Sequence, residues 1–249
     1  MNPKNLSGAL VFAAILAIGS AHAACTNASL VGTFGFVHVA TDGAGHHGTS
    51  VGQVVFDGNG NSSGTATRSV NGTISTVTST GAYSVSKNCT ASATIVQSDN
   101  STVHFNFVLD DGKKGYQMIE TDAGNVNTGL ALAQGKVTCG LTGVKHTFAA
   151  NLTGTNIGTG PVGYVGQLIL DGNGSISGNL TLNVDGSVNP VPVSITGTYT
   201  ENAGCAGTAA ITPNGLGTGN FSFVVVNSGK EVLMIETDEN TVVSGTLQQ

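Results

Sequence analysis

The sequence predicts an all-β protein: two tandem eight-stranded up-and-down barrels behind a cleaved leader. Three observations carry this expectation. First, the composition is that of a turn-rich β chain. Gly supplies 37 of 249 residues, Trp is absent and only 9% of residues are charged, against roughly 7% Gly and about 25% charged in an ordinary soluble domain. Second, the chain after residue 24 is written twice. Third, apolar residues alternate with period two between tight-turn signals, and no helical period runs past the leader. Helical bundles and coiled coils, which need Ala, Glu, Lys, Leu and Arg in quantity, are excluded. The 39% hydrophobic content supplies a core that a disordered chain lacks.

Residues 1–23 read as a Sec-type signal peptide. Lys4 gives a positive start, Leu6 to Ala21 is apolar but short of a bilayer span, and Ala21-His-Ala23 is an A-x-A cleavage site. Cys25 invites a lipoprotein reading, but a lipobox wants Leu or a similar residue where His22 stands. No later run reaches the ~18 apolar residues of a spanning helix. The expected product is secreted, periplasmic or on the cell surface, without a transmembrane anchor. Lys4 is one of eight basic residues; without it seven face fourteen acidic ones, a net charge of −7. With a single Arg and no basic run, nucleic acid and anionic membrane surfaces are poor partners.

The repeat defines the domain plan. Val51-Gly-Gln-Val-Val-Phe-Asp-Gly-Asn-Gly-Asn-Ser-Ser-Gly-Thr65 returns as Val165-Gly-Gln-Leu-Ile-Leu-Asp-Gly-Asn-Gly-Ser-Ile-Ser-Gly-Asn179, with nine of fifteen positions identical. Thr80-Gly-Ala-Tyr83 returns as Thr196-Gly-Thr-Tyr199, and Phe105 to Asp122 returns as Phe221 to Asp238, both ending Met-Ile-Glu-Thr-Asp. The expected units are residues 24–136 and 137–249, joined by a short connector around 134–138 and lying close together. The cysteines keep the same period, Cys25 with Cys139 and Cys89 with Cys205. Duplication favours the disulfides Cys25–Cys89 and Cys139–Cys205, because each copy then folds alone. A metal site would want C-x-x-C clusters, which are absent.

In order, the first copy predicts strands near 32–40, 50–57, 62–70, 73–85, 89–97, 102–109, 115–122 and 126–133, and the second copy the same eight. Asp57-Gly-Asn-Gly60, Asn71-Gly72, Asp110-Asp-Gly112 and Asp122-Ala-Gly124 separate them as tight hairpin turns. Hairpin-linked strands in units of this size favour an up-and-down barrel, which closes its own edges. The alternatives are an immunoglobulin-like sandwich and a single 16-stranded outer-membrane barrel. Against the sandwich, the first cysteine of each copy precedes its first strand and no core Trp is present. Against the membrane barrel stand the missing Trp girdle, the Leu247-Gln-Gln249 end and the duplicated cysteine pair.

The pattern V-G-Q-x-x-x-D-G-N-G-x-x-S-G, then T-G-x-Y, then M-I-E-T-D, resembles tandem repeat domains of uncharacterised exported bacterial proteins. Their compact meander is similar in plan to the calycins, the lipocalin and avidin group. The resemblance spans nearly all of the mature chain and implies a calycin-like barrel. Its motifs are hairpin turns and strand ends, so it implies fold more than activity.

Several motifs carry candidate chemistry. Gly48-Thr-Ser50-Val-Gly52 and Gly60-Asn-Ser62-Ser-Gly64 match the nucleophile-elbow pattern, which matters only on a strand-to-helix turn; no helix follows, and Tyr164 replaces Ser50 in the second copy. Asp57-x-Asn59-x-Asn61 and Asp171-x-Asn173-x-Ser175 imitate the start of an EF-hand loop without its later Gly and Glu, so hairpin turns are the favoured reading over a weak calcium site. His38, His46, His47 and His104 would suit zinc or copper if they converged. Dispersed histidines are favoured, because the second copy has only His146. No cofactor is expected.

Glu120 and Glu236 recur at the same repeat position. Alternation places Glu120 with Tyr116 and Met118, and Glu236 with Val232 and Met234. If those faces look inward, Glu120, Tyr116, Met118, Glu236 and Met234 form a ligand site in each barrel, with a carboxylate anchoring a polar group. Ile119 and Thr121, or Ile235 and Thr237, could equally look inward, and the favoured reading of each Glu is a strand-end carboxylate hydrogen-bonded to a neighbouring turn. The function expected is an exported non-enzymatic binding or surface-interaction protein, holding a small apolar ligand in each barrel. The alternatives are a structural or adhesive protein with filled barrels, and a lumen isomerase or cyclase using Glu120 and Glu236.

Overall fold

The computed structural model describes residues 24–112, 114–189 and 191–249; the leader expected at residues 1–23 lies outside them. The first barrel contains β1 (Val31–Asp42), β2 (His47–Asp57), β3 (Asn61–Val70), β4 (Thr73–Val85), β5 (Thr90–Gln97), β6 (Thr102–Leu109), β7 (Gly115–Glu120) and β8 (Asn125–Ala133). Each strand pairs antiparallel with the next, and β8 returns to β1 through Phe34–Ala133 to Asp42–Asn125. The second contains β9 (Thr147–Asn156), β10 (Gly160–Leu170), β11 (Ser175–Val184), β13 (Val193–Glu201), β14 (Ala206–Pro213), β15 (Gly219–Val226), β16 (Glu231–Glu236) and β17 (Thr241–Gln248), closed by β17 on β9. A two-residue strand, β12 (Ser187–Val188), folds back on β11 outside the ring. The expected eight strands per copy are present, and β12 is an addition the turn signals did not show.

The repeated motifs are the barrel's corners. Asp57 Oδ1 accepts hydrogen bonds from the backbone N–H of Asn59 (2.7 Å) and Asn61 (2.9 Å), and Asp171 does the same for Asn173 and Ser175. Gly58 and Gly60 sit at φ 77° and 110°, where a Cβ is strained. The carboxylates are thus occupied by their own hairpins, and the Asn61 side chain and backbone hold the Asp57 carboxyl below its ordinary pKa. The final Asp of Met-Ile-Glu-Thr-Asp clamps a neighbouring strand start: Asp122 accepts from His104 N and Nδ1, and Asp238 from Asn220 N and Nδ2.

One end of each barrel is plugged. In the first, a short 3-10 turn, Asn27–Leu30, buries Leu30 completely, and Cys25–Cys89 ties it to the β4–β5 turn with a Cα separation of 5.0 Å. Tyr83 of Thr-Gly-x-Tyr donates its hydroxyl to the carbonyls of Asn27 (3.1 Å) and Leu30 (3.4 Å). In the second, Leu141–Val144 buries Val144 and Cys139–Cys205 makes the same tie at 4.7 Å. There Tyr199 donates to Leu141 O and accepts from Gly172 N, both at 3.0 Å. Both expected disulfides are present. Above the plugs the interiors differ: Phe34, Phe56, Tyr83, Phe107 and Tyr116 form an edge-to-face and tilted aromatic cluster in the first, with centroids from 4.8 Å apart. In the second the core next to the plug is mainly aliphatic, with Leu168, Leu170, Ile176 and Ile211.

The two barrels pack side by side. Val37 and Val51 on the outer face of β1 and β2 meet Val224, Val226, Leu233 and Ile235 on β15 and β16. Gly35 permits the approach, because a Cβ there would collide with Val224 and Val226. Polar contacts frame the patch: Gln134 donates to Gly204 O and Val225 O at 3.2 Å, Ser69 donates its hydroxyl to Thr241 O, and Asn240 N donates to Gly72 O at 2.9 Å. The expectation of closely placed barrels is met. Both faces of β15 and β16 are buried, one in their own barrel and one against the neighbour. These strands accordingly read as unbroken apolar runs, Phe223-Val-Val-Val226 and Val232-Leu-Met-Ile235, instead of alternating.

Candidate ligand-binding lumens

The end of each barrel opposite its plug leads into a lumen. In the first the cavity is about 360 Å³, walled by apolar side chains including Phe36, Val54, Val77, Ile95 and Phe105, and it extends to the β1–β2 and β7–β8 turns. In the second it is about 480 Å³, walled by Leu152, Leu180, Leu182, Ile211 and Phe221, and extends to the β11–β13 and β14–β15 loops. The interiors are therefore not filled by side chains.

The pairing decides the question that alternation leaves open. Tyr116, Met118 and Glu120 point inward and line the first lumen, while Ile119 is half exposed outside. Glu120 is also hydrogen-bonded to the start of β8. Its Oε1 accepts from Asn125 Nδ2 at 2.8 Å and its Oε2 from Asn127 Nδ2 at 2.9 Å. Both donors belong to β8, Asn125 at its first position and Asn127 within it, where the favoured sequence reading has a turn. Glu236 lines the second lumen beside Tyr164, but the counterparts of Asn125 and Asn127 are Thr241 and Val243, so both amide donors are lost. Its Oε2 is buried without a hydrogen-bond partner. Burial, with the nearby charge of Asp238 as a smaller cause, pushes the Glu236 carboxyl up to about 7. Burial and then the Glu236 charge raise the Tyr164 hydroxyl to about 12. Val232 and Met234 belong to the buried core below Glu236, away from the cavity lining. Met234 is thus placed deeper than the ligand set expected from its spacing.

The first lumen holds a polar cluster that sequence reasoning did not assemble. His38 stacks on Phe36 with ring centroids 5.7 Å apart, and its Nε2 hydrogen-bonds the Ser50 hydroxyl. Burial lowers the His38 pKa to about 4, with Asn127 weakly opposing, so the ring is neutral at pH 7. Ser50, from the first G-x-S-x-G match, sits in mid-strand β2 rather than on a strand-to-helix turn. His38 and Ser50 share no motif; only the β1–β2 register, which pairs them directly, brings them together. Arg68 also lines this lumen, with its guanidinium engaged by Ser75 (2.9 Å), Gln97 (2.8 Å) and Asp99 (2.7 Å).

The remaining histidines do not converge. His46 pairs with Asp42 at 2.8 Å at the lumen mouth, and His104 pairs with Asp122 at 2.7 Å. Among the described residues, the cluster of His, Cys, Asp or Glu close enough to share an ion is Cys139, Glu201 and Cys205, and its cysteines are joined in a disulfide. No helix among the described residues is long and apolar enough to cross a membrane.

Fold and cavities together define a tandem β-barrel protein with two lumens, each carrying an inward carboxylate at the same repeat position. No family model matches the chain, and no curated protein matches it in sequence. The resemblance to exported tandem repeat domains thus rests on the quoted motifs.

Proposed function

We propose that the chain is an exported, non-enzymatic binding protein that holds one small, mainly apolar molecule in each lumen. The observation that carries this reading is the repeated cavity: an apolar wall, a plugged floor and one inward carboxylate per barrel. Cavities of this size and lining are the usual form of small-molecule sites. The leader-like residues 1–23 and the two disulfides support an oxidising, extracytoplasmic setting. The adhesive reading draws less support, since it needs filled interiors.

Titration with the apolar fluorophore Nile red tests the proposal. Two sites per chain are expected, with Ala66→Trp abolishing the first and Leu182→Trp the second, because both residues line the cavities. Fluorescence that does not respond to protein, or that is indifferent to both fillers in folded variants, would sink the reading. A second reading, acid–base chemistry on a bound substrate, is favoured only by Glu236, whose carboxyl near 7 suits proton transfer at neutral pH.

A further inference from the structure

We infer that the molecule each lumen accepts is an apolar body carrying a cationic, hydrogen-bond-donating head, of the primary-amine class, with Glu120 receiving it in the first barrel and Glu236 in the second. This rests on the proposed binding function and adds the chemistry of the ligand.

Neither Glu120 nor Glu236 has a cationic partner among the described residues. A buried carboxylate without a counter-charge is costly, and the cost falls when a cation enters with donors in place. Glu236 is the clearer case. It is the sole ionisable acid or base besides Tyr164 on the lining of the second lumen, which contains no Lys, Arg or His among the described residues. Two buried oxygens there, Glu236 Oε2 and Asn156 Oδ1, have no hydrogen-bond partner. Both are acceptors once the carboxyl is ionised, so what is missing is a donor. An ammonium carries three donors and no acceptor.

The first lumen repeats the pattern with different neighbours. Glu120 accepts one bond on each oxygen, which leaves lone pairs on both. An anionic head would need a free cation instead. Arg68 is consumed by Ser75, Gln97 and Asp99, His38 is neutral, and His46, paired with Asp42, and His47 lie at the mouth away from the Glu120 carboxylate. A carboxylate or phosphate ligand is therefore disfavoured in both lumens. The whole chain agrees in sign: 14 acidic residues against 8 basic ones create a field that draws cations towards the mouths.

Isothermal titration with three ten-carbon probes that differ only in the head, decylamine, decanol and decanoate, separates the outcomes. Two decylamine sites are expected per chain, with decanoate at least about tenfold weaker at each; a tenfold ratio corresponds to ~1.4 kcal/mol. Glu120→Gln and Glu236→Gln should each weaken one decylamine site about tenfold or more and weaken decanol at that site by a smaller factor, and a cooperative urea transition for each variant shows that it is folded. Decanoate or decanol binding as tightly as decylamine, or decylamine affinity unaltered in both variants, would overturn the head-group inference while leaving the lumens as binding sites. If none of the three probes binds, the binding function falls and the inference with it.

Discussion

Replacing Glu236 by Gln should stabilise the protein at alkaline pH and leave it nearly unchanged in acid. Burial raises this carboxyl from its ordinary 4.5 to about 7. Between those values the folded state holds a proton that the unfolded chain has released. Stability contributed by the protonated group is therefore full below about pH 4.5, falls as pH rises towards 7, and is lost beyond it. At 1.36 kcal/mol per tenfold change in proton affinity, the rise is worth about 3 kcal/mol, reduced to about 2–3 kcal/mol because water reaches the lumen. Gln cannot ionise, so the variant escapes the loss. His38 acts in the opposite sense. Its pKa falls from 6.5 to about 4 on folding, so the stability it contributes is present above 6.5 and lost as pH drops through 4. The two slopes oppose each other in the wild type, and Glu236→Gln should remove the first, leaving the His38 slope together with those of Glu201 and of hydrogen-bonded carboxylates such as Asp57. Urea unfolding at about pH 4, 6 and 8.5 measures this. Equal stability differences between variant and wild type at all three pH values would refute the buried-carboxylate reasoning.

Three further outcomes are expected of the same structure. Removing the first disulfide as Cys25→Ser with Cys89→Ser should cost about 4 kcal/mol on the chain-entropy estimate, given the 64-residue separation, and should leave the second barrel's transition in place in a urea melt. Tyr199→Phe should cost roughly 1–3 kcal/mol, because it strands the buried Gly172 N–H and Leu141 carbonyl together. Tyr83→Phe should cost less, since its hydroxyl makes longer bonds and only donates; equal midpoints for the two variants would count against the clamp. Expressed apart, residues 24–136 and 137–249 should each fold as a barrel. The second half should self-associate through Val224, Val226, Leu233 and Ile235, and Leu233→Ser with Ile235→Ser should return it to a monomer by light scattering.

What could be read from the chain alone was local or duplicated. Asp-Gly-Asn-Gly and the Asp that ends Met-Ile-Glu-Thr-Asp specify their turns through bonds to residues a few positions away or one strand across. Strand limits, the barrel plan and the cysteine pairs follow from that repetition, because two copies that fold alike must each satisfy their own backbone and their own thiols. Three matters needed the tertiary structure. Which face of β7 and β16 looks inward depends on ring closure, since alternation fixes two faces without naming them. The meeting of His38 with Ser50, and of Glu120 with Asn127, depends on cross-strand register, which carries no sequence motif. The double burial of β15 and β16 depends on the neighbouring barrel. Its trace, the unbroken apolar runs at Phe223–Val226 and Val232–Ile235, is present in the sequence, but only the packed partner gives the outward half of each run a physical reason.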